Sequence, residues 1–339
     1  MNRLRVALVV LLAGLAVGGQ GSAQVLPLSI FERYLDALRI EAAIPGLSAA
    51  IVQNGVVVWD RGFGRQDVEA NVAARSDTPY VIGDLSQTLG ATLTLKVCVD
   101  DSYAEIEDVV RRWYPQYPEP TTTLEDLLAH RSPSRAFQYA PERFAALTPV
   151  AEECADVPYR RLLDERVFQR LGMIDSVPGH ALVAPTADDV AILGAERLAR
   201  YAAVLSRLAV PYRVDANGRA SRSTVTPRAA DTSSGLVSTV LDLAKFDRAL
   251  DDAGVLLSAE LRDRSWTPVS GLPTGLGWFV QTYNGERIVW HFGLVRDAYS
   301  SLIVKVPGRG LTLILLANSD RLSAPFALEN GDIRPSLFA

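Results

Sequence analysis

"TPYVIGDLSQTLGATL", residues 78–93, passes from an extended start through Gly83 into an apolar run with the character of a helix, and Asp84 and Gln87 stand at the junction. Asp-x-x-Gln ahead of such a run is close to a capping box, in which Asp84 accepts the first helix N–H bonds and Gln87 reaches back to the Asp84 backbone. A carboxylate at a helix N-terminus gains about 0.3–1 kcal/mol from the dipole, and losing a cap costs about 1 kcal/mol. On local chemistry alone, the stretch is a helix with a stabilised start.

Outward from it, the pattern changes in both directions. "SIFERYLDALRIEAA" (29–43) carries apolar residues at Ile30, Phe31, Tyr34, Leu35, Leu38 and Ile40, the stripe of an amphipathic helix. "PGLSAAIVQNGVVVWDRGFG" (45–64) reads as two strands joined at Asn54-Gly55, a favoured hairpin dipeptide. From about Tyr80 to Pro211 helical patterns dominate, among them "LEDLLAH" after Thr123 and "YRRLLDERVFQRLG" with its glycine stop. Beyond the helical "SSGLVSTVLDLAKFDRAL", strand-like runs return in "GLGWFVQTYNGERIVWHFG", "AYSSLIVKVP" and "GLTLILLANSD". Strands at both ends around a helical middle imply an α/β lobe from residues 24–79 plus 225–339 and an α-rich lobe from 80–224.

Composition sets the class. The 339 residues are 48% hydrophobic and 22% charged, enough for a substantial core. Residues 1–23 give two arginines, an apolar run from Val6 to Val17 and small residues up to Ala23, the pattern of a secretory signal peptide. The apolar run is shorter than the roughly 20 residues of a membrane span, so the expectation is a cleaved leader, no membrane span after cleavage, and a periplasmic or secreted product. Loss of Arg3 and Arg5 takes the formal charge from −5 to −7. With that acidic balance and no basic run or finger spacing, no nucleic-acid partner is expected. His130, His180, His291, Cys98 and Cys154 show no short metal-ligand spacing, so neither a metal nor a cofactor is expected. For Cys98 and Cys154 two readings stay open, a disulfide permitted by export and a pair of buried thiols.

Taken together, "IPGLSAAIVQNGVVVWDRGFGRQDVEA", "TPYVIG", "TLEDLLAHRSP", "YAPERF", "PYRRLLDERVFQRLGM", "SSGLVSTVLDLAKF", "GLGWFV" and "VWHFG" resemble the serine β-lactamase and penicillin-binding protein family, in its class C and esterase-like branch. The resemblance runs from about residue 27 to 325. It implies a β-lactamase/transpeptidase-like α/β fold, an antiparallel sheet flanked by helices plus an α-rich lobe. It also implies an acyl-transfer site: the Ser of an S-x-x-K motif at a helix start, its Lys one turn on as base, a Y-x-N (or S-x-N) assisting proton transfer, and a K-T-G or H-x-G on an edge strand. The spacing serves the chemistry, because a hydroxyl is a weak nucleophile until a base lies within hydrogen-bond reach.

This chain departs from that pattern. Alignment on the resemblance puts Asp84 at the nucleophile and Gln87 at the base. A carboxylate attacking an acyl carbonyl forms a reactive anhydride, and an amide does not accept a proton near neutral pH. No S-x-x-K occurs elsewhere, since Leu93, Asp242 and Leu302 precede Lys96, Lys245 and Lys305 by three residues. Ser86 is turned about 200° from the Asp84 face of a helix. No tyrosine has Asn two residues later, and the bridge "AALTPVAEE" after "YAPERF" is several residues short, so the assisting tyrosine and one wall of the pocket are expected to be missing. The third motif survives as His291-Phe292-Gly293, with Gly293 expected to admit a substrate backbone along an edge strand, Phe292 expected to narrow the groove, and His291 equally readable as a structural hydrogen-bonding residue. Ser132-Pro133 replaces a Ser-Gly, which implies a differently shaped loop. The chain stops at "GDIRPSLFA" where the family continues into a helix over the sheet, so that helix is expected to be absent or cut short.

Three functional readings follow. The first is a pseudoenzyme whose inter-lobe cleft holds a small-molecule or peptide ligand or a protein partner, with the Asp84 carboxylate favouring a cationic or hydrogen-bond-donating ligand. The second is a divergent hydrolase of amide or ester bonds using water activated by Asp84 or His291. The third is the product of a decaying gene.

Overall fold

The computed structural model describes residues 25–227 and 229–339, so the expected leader lies outside the described residues. Chain order begins with α1 (Val25–Glu41) and the hairpin of β1 (Gly46–Gln53) and β2 (Val56–Asp67). Asn54 and Gly55 take φ of 51° and 74°, the left-handed pair that a two-residue hairpin turn demands. β3 (Val72–Ala73) extends that edge, and β4 (Tyr80–Val81) leads into α2 (Ser86–Thr94). The helical middle follows: α3 (Leu124–Leu128), α4 (Pro141–Phe144), α5 (Leu147–Ala155), α6 (Tyr159–Leu162), α7 (Ala187–Leu193) and α8 (Ala195–Leu205). Two short ladders come next, β5 (Tyr212–Val214) with β6 (Ala220–Arg222) and β7 (Val237–Ser238) with β4. Helices α9 (Val240–Asp251) and α10 (Ala259–Ser265) precede β8 (Phe279–Tyr283), β9 (Glu286–Val295), β10 (Tyr299–Val306) and β11 (Leu311–Ala317).

The two ends of the chain build one antiparallel sheet in the order β3-β2-β1-β11-β10-β9-β8. Its centre is the pairing of β1 with β11, Leu47 opposite Ala317 through Gln53 opposite Leu311. β1 is buried over almost its whole length, which suits a central strand covered on both faces. One face packs on the helices, with Ala50, Val52, Ile303, Ile314 and Leu316 joining Leu89, Leu93, Leu243 and Phe246 in a single apolar core. The other face carries Leu47, Ile51, Trp290, Phe292, Leu302 and Leu315, and α1 covers part of it with Phe31, Leu35 and Leu38. Residues 320–339 cover the rest, with short 3₁₀ turns up to Asn330 and an irregular run beyond, burying Leu322, Leu328, Ile333 and Phe338. Among the described residues, this irregular segment closes that face.

One expectation is corrected at α4 and α5. Directly after Tyr139 these helices bury Phe144, Leu147, Val150 and Ala151, so the short bridge still builds a wall. Cys98 and Cys154 are joined as a disulfide, which ties the extension of α2 to the end of α5.

Candidate active site

The start of α2 is fixed by backbone contact with β9. Gly83 has φ +56°, and a Cβ on it would meet Leu294 N at 2.7 Å. A Cβ on Gly293 would meet the Ile82 carbonyl oxygen at 1.9 Å, and Ser301 donates to that same carbonyl at 2.7 Å. Gly293 is therefore required for close approach, but the backbone it admits is the chain's own, not a substrate's. Nor is β9 an edge strand along its whole length. β8 pairs with it only as far as Trp290, and His291–Val295 run on past the start of β8.

The capping box does not form. Asp84 lies inside a 3₁₀ turn, Gly83–Leu85, and the residues at the cap positions are Ile82 and Leu85, neither of which caps through its side chain. The Gln87 side chain turns away from the helix start, because better partners lie 43 and 52 residues along the chain. It is fully buried, its Oε1 is 2.8 Å from His130 Nε2, and its Nε2 donates to the Tyr139 hydroxyl at 3.2 Å.

These contacts define a directed chain of hydrogen bonds. The Ala140 N–H donates to His130 Nδ1 at 3.2 Å, which leaves the ring proton on Nε2. Nε2–H then donates to Gln87 Oε1, the amide NH₂ donates to Tyr139 Oη, and Tyr139 bonds to the Asp84 carboxylate. Tautomer and amide orientation follow from the network as a whole. Burial, then His291 and Arg143, pushes the His130 pKa well below its ordinary value. Burial, then the charge of Asp84, raises the Tyr139 hydroxyl well above its own, so the phenol stays protonated and donates. Position is secured locally: Thr123 and Asp126 form a reciprocal cap at the start of α3, and His130, two residues past its end, takes φ 52° to turn its ring inward.

Tyr139 and His130 are what sequence reasoning missed. A search for Tyr followed by Asn two residues on passes over Tyr139-Ala140-Pro141, yet the Tyr139 hydroxyl reaches the base position as the assisting tyrosine should. The signal was present, since "YAPERF" is itself one of the fragments carrying the resemblance, with proline where the motif has asparagine. The expected loss of that tyrosine is thus corrected.

His291 lies in the same cluster but outside the chain of bonds. It is buried, its Nδ1–H donates to the Phe292 carbonyl at 2.7 Å, and burial lowers its pKa to about 4. Phe292 is buried between Tyr139 and Phe279, with ring centres 5.3 and 5.9 Å away. Ser86 donates to the Gly83 carbonyl at 2.7 Å and accepts from Leu236 N–H at 3.3 Å. Past Ser132-Pro133 the loop closes on itself, with Ser132 Oγ 2.9 Å from the Ala136 carbonyl.

The arrangement of sheet, helix start, tyrosine and H-x-G strand matches one family. The family model described as Beta-lactamase matches residues 31–335. The chain belongs to the beta-lactamase family. PbpX of Bacillus subtilis, named as a penicillin-binding protein, is 22% identical over 322 residues, which cover 84% of this chain and 73% of that protein. Protein flp of Staphylococcus aureus is 32% identical over 95 residues, 26% of this chain and 19% of that one. Among solved structures, the octameric penicillin-binding protein homologue from Pyrococcus abyssi superposes with TM-score 0.70 at 21% identity, covering 87% of this chain and 74% of that one. D-amino acid amidase from Ochrobactrum anthropi gives 0.70 at 20%, covering 90% and 95%. The D-alanine carboxypeptidase AmpC from Burkholderia cenocepacia gives 0.67 at 18%, covering 85% and 92%. At these identities the structural matches carry the fold.

Proposed function

We propose that this beta-lactamase-family protein performs no serine acyl transfer and that its role is to bind a ligand or partner at the cleft between sheet and helices. One observation carries the reading: the base position is an amide whose two ends are both committed, Oε1 to His130 and Nε2 to Tyr139. Such a group holds neighbours in place and takes no proton from a nucleophile. At the nucleophile position stands a carboxylate bonded to Tyr139. In an unrelated serine hydrolase, loss of the nucleophile alone lowers kcat by roughly 10⁶-fold. The leader pattern and the Cys98–Cys154 bond both favour a site of action outside the cytoplasm.

A second reading, a divergent hydrolase that activates water, is favoured by the retained Tyr139 beside an ionisable Asp84. Turnover of nitrocefin and p-nitrophenyl acetate by the purified protein separates the two. The binding reading expects none above buffer; turnover that disappears in Asp84→Ala overturns it.

A further inference from the structure

Where the β1–β2 and β10–β11 turns meet α9 and α10, a lysine is buried among carboxylates. The side chains of Lys305 on β10 and Asp247 on α9 are 1% and 0% exposed, and Lys305 Nζ touches Asp247 Oδ1. Nζ also lies 3.1 Å from Asp251 Oδ1, 3.3 Å from Thr312 Oγ1 and 5.2 Å from the centre of the Trp266 ring. The Thr312 hydroxyl donates to Asp247 Oδ1 at 3.1 Å. Asp247 Oδ2 is buried without a hydrogen-bond partner.

As a plain ion pair this arrangement is poor. Each ion loses several kcal/mol of hydration, which is recovered only where every lone pair and proton is satisfied, and Oδ2 is not. Burial pushes the Asp247 carboxyl up, toward its uncharged form. A lysine pressed against a buried carboxyl, with a second carboxylate on its Nζ, is arranged for condensation.

We propose that Lys305 and Asp247 are joined by a side-chain amide bond that the folded chain forms itself. Nζ bonds to Cγ of Asp247. Oδ1, held by the Thr312 hydroxyl, becomes the amide oxygen, and the Cγ–Oδ2 bond breaks. The ammonium gives up two protons and Oδ2 takes up two, so it leaves as water and the step needs no oxidant, nucleotide or metal. Asp251 touches Nζ and is 31% exposed, which suits it to carry those protons. A cavity of about 570 Å³ is lined by Asp251 and Trp266, both of which lie against Lys305 Nζ. The product staples α9 to β10 across the core.

The test is the intact mass of the purified, reduced and alkylated full chain. The proposal expects a mass one water below that calculated for the alkylated chain as purified, and a branched proteolytic peptide joining the Asp247 and Lys305 segments. Asp247→Ala returns the full mass. Because that substitution also strips a buried lysine of its partner, Asp251→Asn is the companion: a folded protein by circular dichroism, with the full mass. An unmodified wild-type mass, or a water loss that maps elsewhere, overturns the proposal, and a light Asp251→Asn chain overturns the shuttle.

Discussion

Replacing Gln87 by leucine asks whether the former base position is now a structural joint. Leucine has a similar volume and leaves no large hole, so the loss is polar. His130 Nε2–H and the Tyr139 hydroxyl each lose a partner where Gln87 is fully buried. A net hydrogen bond is worth about 1 kcal/mol, and a buried donor left unsatisfied costs about 1–3 kcal/mol. His130 bears the larger share, because the Tyr139 hydroxyl keeps its bond to Asp84. The expected cost is about 2–4 kcal/mol. With an unfolding entropy of about 2.1 cal/mol/K per residue, a chain of this size loses roughly 1.5 °C per kcal/mol, so Tm falls by about 3–6 °C. Urea denaturation followed by circular dichroism gives the free energy. A change below about 1 kcal/mol would refute the joint.

Acid should weaken the fold through its histidines. His130 and His291 are held neutral in the folded state by burial, while an unfolded histidine titrates near 6.5. The unfolded chain therefore takes up protons first as pH falls, and the stabilisation is complete above about pH 6.5 and lost toward pH 4. For His291, with a folded pKa of about 4, the loss is on the order of 3 kcal/mol, and His291→Gln should flatten the pH dependence of the denaturation midpoint. The Cys98–Cys154 bond spans 56 residues, and Cys98→Ala with Cys154→Ala should cost about 4 kcal/mol while unfolding stays cooperative; a non-cooperative wild-type transition would favour the decaying-gene reading. Asp84→Ser with Gln87→Lys should gain covalent labelling by a fluorophosphonate, since the Tyr139 hydroxyl already reaches the base position; silence would place further damage at Pro141 or Phe292.

Much of this architecture was legible from pattern. Asn54-Gly55 announced the hairpin, the stripe from Ile30 to Ile40 announced α1, and the ordered fragments placed Asp84 and Gln87 at the head of α2. The failures share a cause, because each concerns a group whose partner is remote in sequence. Asp84-x-x-Gln87 satisfies the local grammar of a capping box, but a buried histidine and a tyrosine outcompete the helix start for the Gln87 amide. Tyr139 was hidden by a proline two residues on, although its role depends on the position of its ring and not on that neighbour. Gly293 on sequence alone suggests room for a substrate, and Ile82 already fills the space. The disulfide stayed open because two cysteines alone carry no geometry.

The central claim, a family member without acyl transfer, is tested most directly by intact mass spectrometry of the wild-type protein after exposure to a fluorophosphonate and, separately, to benzylpenicillin. The account predicts an unchanged mass with both reagents. A stoichiometric adduct with either, mapped to Asp84 or to any serine of the cleft and absent after denaturation before exposure, would contradict it.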